Sequence, residues 1–144
     1  MRRFQFRLDS VLGWRTVELE IEEGRLEQLF AERRNWDAQA LAVEDGRRDA
    51  ARVLTAETLD GQQLAAFSFH RRHLEREAGR IAGRRADCEK RIALQQRKVA
   101  EAERKIRLLE RLKERRLAEW TIEFNRELEA QASETFLSKW VRGR

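Results

Sequence analysis

Few side chains in this 144-residue sequence have the type and spacing that chemistry requires. His70, His73 and Glu77 can reach adjoining faces of one helix, which is the beginning of a metal site, although two His and one shared carboxylate are ordinarily plain surface residues. The single Cys, Cys88, reads as a small apolar side chain in a helix seam rather than as a reactive thiol. Serines at 10, 68, 133 and 138 have no local catalytic motif around them, and the sequence has no glycine-rich phosphate loop. No catalytic residue, cofactor site or metal site is therefore expected.

Binding is the better prospect. Residues 104–116 carry seven basic and two acidic side chains. Such a run is most often a solvated helix face; an acidic protein surface is the next reading. Nucleic acid comes last, because aromatic residues do not interleave with these arginines and nothing reads bases, so no specific nucleic acid partner is expected. Aromatic residues outside the helix seam described below, Phe6, Trp14, Phe30 and Phe69, are either scattered exposure or partner anchors.

The elements that must position these residues are helices. The sequence has no Pro, and charged residues make up 40% of it against about 25% in an average globular chain. Hydrophobic residues still make up 41% and are regularly spaced, which argues against disorder. One cysteine forms no disulfide within the chain, Met1-Arg2-Arg3-Phe4 lacks the apolar run of a signal peptide, and no stretch approaches the roughly 18 apolar residues of a membrane span. A cytosolic protein without membrane insertion is expected. The net charge of +5 is uneven: residues 16–60 carry −6 and residues 61–118 carry +9, which suits two helices that fold against each other.

Alternating steps of three and four trace a seam from Leu8 through Leu12, Leu19, Leu26, Leu29, Trp36, Val43 and Ala50 to Leu54. A second runs from Leu64 through Phe67, Leu74, Ile81, Cys88, Ile92, Val99 and Ile106 to Leu109. Across a fold-back the numbers of facing residues sum to 117 or 118, as in Leu29 with Cys88 and Leu12 with Ile106. Polar positions coincide under the same sum: Arg47 with Arg71, Arg33 with Arg85, Glu22 with Gln95; Arg15 opposite Ala102 breaks the match. Because two arginines cannot bond each other, they are expected to splay toward Asp37 or Glu89 with their stems buried. The spacing predicts one domain, residues 1–144, folded as a long antiparallel two-helix coiled-coil hairpin. Its helices are expected over about 3–58 and 63–138, roughly 80 and 110 Å long, with a turn over about 59–62. Gly61 could end the first helix in a left-handed conformation, or Asp60 and Gln63 could cap the second. A continuous helix dimerising antiparallel with itself satisfies the same sums. Beyond Lys113, opposite Phe4, nothing is left to cover Trp120, Phe124 and Leu128, nor Phe136, Leu137, Trp140 and Val141. Gly79 and Gly83, off the seam, read as a pliable or closely approached stretch.

The pattern Phe4-x-Phe6-x-Leu8-x-x-Val11-Leu12-x-x-Arg15-x-x-Glu18 resembles the opening of the FliJ family, coiled-coil components of the bacterial flagellar export apparatus. Length, a turn near residue 60 and the basic segment Leu108 to Arg116 fit that family too; arginine richness and residues 136–144 depart from it. The resemblance implies a non-catalytic stalk of the type III export apparatus, similar to rotary-ATPase stalks. Such a stalk inserts its terminal end into a hexameric export ATPase, links it to the export gate membrane protein, and escorts export chaperones at the inner membrane. The ring-binding residues would be Phe4, Phe6, Arg7, Trp14, Arg111, Lys113, Arg115, Arg116, Trp120, Phe124 and Leu128, and the gate would meet Phe30, Phe69 and His73. Virulence-type secretion stalks share the build. A generic coiled-coil scaffold or a nucleic-acid-binding protein is the alternative.

Overall fold

The computed structural model describes residues 3–56 and 58–144. It is all-α: α1 runs over Asp9–Ala56 and α2 over Gly61–Arg142, 48 and 82 residues, packed as an antiparallel two-helix hairpin whose second helix is the longer. No helix among the described residues is long and apolar enough to cross a membrane.

α1 starts later than the spacing suggests, and α2 starts slightly earlier, with the cap that is one of the two readings of the turn. α1 begins at Asp9 rather than near residue 3, where the Asp9 N–H donates to the Phe6 carbonyl at 3.1 Å and the Leu12 N–H to the Leu8 carbonyl at 2.9 Å. Residues 3–6 stay outside the helix. At the start of α2 the Gln63 N–H donates to Asp60 Oδ1 at 2.8 Å, and the Asp60 N–H donates to Gln63 Oε1 at 3.0 Å. This reciprocal capping box satisfies two otherwise orphaned donors. Gly61 is thus the first residue of α2, and no described glycine has positive φ, so the left-handed ending does not occur. At its other end α2 continues to Arg142, with Lys139 and Arg142 in the last turn, and the Gly143 N–H closes on the Lys139 carbonyl at 3.0 Å.

The hairpin divides into two units, Ile21–Ala100 and the residues up to Glu20 together with Glu101–Arg144. The unit Ile21–Ala100 holds most of the core. Leu29, Ile81, Cys88, Ile92 and Gln95 are buried, and Leu26, Phe30 and Trp36 pack against Leu29, Cys88 and Ile92. Each large apolar side chain removed from water there contributes about 1.5–3 kcal/mol. The Cys88 thiol donates to the Leu29 carbonyl at 3.5 Å, in the pairing that the constant sum predicts. Gln95 donates to the Glu22 carbonyl at 3.0 Å and to the Glu22 carboxylate, so the buried amide is paired. The facing arginines splay as expected: Arg85 Nε lies 2.8 Å from Asp37 Oδ1, and Arg33 donates to Glu89 at 3.2 Å. The Arg47 and Arg71 guanidiniums lean instead to Glu44 and Glu75 on their own helices. Packing loosens towards the turn, where Leu54 and Leu64 are about half exposed.

In the other unit Ala102 is the one buried residue among those described. Leu12, Ile106 and Leu109 are half-buried, while Arg15, the mismatched seam residue, turns its guanidinium to Glu18 at 2.9 Å. From Asn125 to Arg144 every residue is exposed.

Candidate functional site

The unit that combines residues 3–20 with Glu101–Arg144 carries an aromatic cluster and, mostly on another face of the same helix, a basic run. α2 sets Trp120 and Phe124 one turn apart, and their rings stack with centroids 4.9 Å apart. Phe4, on the non-helical segment before α1, tilts against Trp120 at 6.0 Å. Trp120 is therefore not left uncovered, as counting helical positions alone implies. Chain outside a helix has freed Phe4 from the seam register, and it lies over Trp120 instead of opposite Lys113. Phe4, Trp120 and Phe124 are all half-buried, whereas Leu128, one turn further, is 39% exposed and lacks such cover.

An open groove of about 870 Å³ runs between the segment and α2, lined by Phe4, Phe6, Leu8, Leu112 and Trp120 and rimmed by Arg3, Arg7, Arg116, Glu119 and Glu123. Phe6 is half-buried beside it rather than exposed. Lys113 is engaged by Asp9 at 2.8 Å, and Arg116 reaches Glu119 at 3.4 Å. Arg111 and Arg115 are exposed and make no ion pair among the described residues, so both charges face solvent. Trp14 is 59% exposed, with the Arg15 guanidinium 4.6 Å from its ring centre. Phe4, Phe6, Arg7, Arg116 and Trp120 thus converge on one groove, and Phe124 extends it. Sequence reasoning missed Arg3, Asp9 and Glu119; the alternating Phe4-x-Phe6 spacing was the available sign that this segment need not be helical.

The residues assigned to a second contact belong to the unit Ile21–Ala100 and do not share one environment. Phe30 is half-buried against the core, with the Arg33 guanidinium 5.1 Å from its ring, whereas Phe69 is 69% exposed and His73 lies on the exposed surface. Near His73, Arg80 donates to Glu77 at 2.9 Å, and that hydrogen bond is the main reason the Glu77 carboxyl is held below its ordinary range. Among the described residues no group of His, Cys, Asp and Glu is placed to hold a metal ion. Burial pushes the Cys88 thiol up, with Glu32 adding to the effect, which keeps it protonated and poorly nucleophilic.

What this arrangement can do is recognise. Half-covered aromatic rings can anchor, and the unpaired arginines on the other face of the same helix can steer by charge. No family model matches the sequence, and no curated protein or solved structure matches it either.

Proposed function

We propose that this chain is a non-enzymatic stalk of a bacterial flagellar type III export apparatus. Its aromatic end enters the hexameric export ATPase, and the chain links that ring to the export gate and escorts export chaperones. Its place would be cytoplasmic, peripheral to the inner membrane. The observation that carries this reading is the Phe4, Trp120 and Phe124 cluster, whose groove Arg3 and Arg7 border, with Arg111 and Arg115 unpaired on the other face of α2. A coiled-coil hairpin whose aromatic groove is bordered by free cations suits insertion into an acidic ring lumen. The similarity of residues 4–18 to the FliJ opening supports the same assignment.

The test is ATPase stimulation and ring assembly by the full chain at stoichiometric amounts. Stimulation by the parent chain, lost in Arg111→Glu with Arg115→Glu while helix content by circular dichroism is unchanged, is the expected result. Absence of stimulation, together with tight nucleic-acid binding whose affinity falls steeply with salt, would replace the stalk with a nucleic-acid-binding coiled coil.

A further inference from the structure

The last turns of α2 hold an apolar face that no described residue covers. Phe136 is 68% exposed, Leu137 57%, Trp140 53% and Val141 67%. At 100° per residue these four fall within an arc of about 140°, so they form one face rather than scattered positions. Lys139 and Arg142 project from the opposite side, and the Arg144 guanidinium lies 4.2 Å from the centre of the Trp140 ring. Every charged residue after Glu134 is basic.

We propose that this face adsorbs to an anionic lipid surface, lying in the interface with its rings among the acyl boundary and its cations at the headgroups. The charge pattern favours this occupant. A helix built to self-associate gains nothing from three unopposed cations, since two copies would bring like charges together. An anionic bilayer attracts each of them. Trp beside Phe, with Lys and Arg on the polar side, is also the composition of helices that lie at a membrane interface. The helix is far too short in apolar residues to cross the bilayer, so adsorption would be shallow and reversible. The proposal is independent of the stalk reading.

Vesicle co-sedimentation of the full chain tests it, with phosphatidylcholine vesicles set against vesicles containing about one third phosphatidylglycerol. The parent chain should partition at least about tenfold more strongly to the anionic vesicles, and less so as salt rises. Phe136→Ala with Trp140→Ala, and separately Lys139→Glu with Arg142→Glu, should each lower that partition about tenfold or more, with helix content unchanged. Arg111→Glu with Arg115→Glu should lower it far less. Three results would overturn the proposal: unchanged binding by the Phe136 and Trp140 variant, loss of binding confined to the Arg111 and Arg115 variant, or a parent chain that ignores vesicles and self-associates through this face.

Discussion

The same two helices pack differently in the two units. In Ile21–Ala100, large side chains interlock and both ends of the main polar layer are satisfied: Gln95 is buried and bonded to Glu22, while Ile81, Cys88 and Ile92 are almost wholly withdrawn from water. In the unit that includes Glu101–Arg144 only Ala102 is buried among the described residues, and Phe4, Trp120 and Phe124 form instead a half-covered aromatic cluster. The main core thus lies in one unit and the half-covered aromatic cluster in the other. The ion pairs between helices add little in either unit, because exposed pairs contribute about 0–1 kcal/mol.

The largest expected difference follows from core size. Ile92→Ala should lower unfolding stability by about 2–5 kcal/mol, whereas Leu12→Ala at a half-buried position should lower it by about 1–2 kcal/mol, measured by urea unfolding followed through helix signal. Equal losses would erase the contrast between the units.

Next comes the polar layer. Gln95→Leu alone removes the donor to the Glu22 carbonyl and to one carboxylate oxygen, while Arg25 still holds the other at 3.0 Å, and should cost about 1–3 kcal/mol. Replacing both Glu22 and Gln95 by Leu should restore or exceed the parent stability. It should also weaken control of register, seen as additional crosslinks from a cysteine placed at position 26.

A smaller and more local effect is expected at the aromatic cluster. Trp120→Ala removes the ring against which Phe4 rests, so exchange of the Asp9 amide, which donates to the Phe6 carbonyl, should quicken about tenfold, the equivalent of about 1.4 kcal/mol of local protection. The urea midpoint should scarcely move. Smallest of all, Gly79→Ala and Gly83→Ala should each stabilise by up to about 1 kcal/mol, because a Cβ at either position meets nothing within 4 Å. Those two glycines are therefore not sites of close approach within the hairpin. A loss of stability on either change would reveal a contact that one chain does not contain.

The hairpin was legible because its information is periodic. A three-four spacing on two segments with a constant residue sum fixes the register, whether the partner segment belongs to the same chain or to a second copy, and it placed Cys88 on Leu29, Gln95 on Glu22, and Arg33 and Arg85 beside Glu89 and Asp37. At the turn the local chemistry allowed two endings, and the capping box of Asp60 with Gln63 prevails by satisfying backbone donors without an unusual glycine conformation. The longer run of α2 had its signals as well, Lys139 and Arg142 in the last turn and Gly143 just beyond. What periodicity could not reveal is the path of residues 3–6. A segment outside regular structure takes its place from whichever apolar surface is near, and Trp120 is more than a hundred residues away in sequence. Partner identity is less legible still, since aromatic and basic side chains state the chemistry of a surface that another molecule must match.

Hydrogen exchange of the full chain with and without the cognate hexameric export ATPase tests the assignment of the aromatic end most directly. Protection gained over residues 4–12 and 111–128, with residues around Phe30 and Phe69 unchanged, is the result the stalk account predicts. Protection confined to the neighbourhood of Phe30 and Phe69, or none at saturating ATPase, would contradict it.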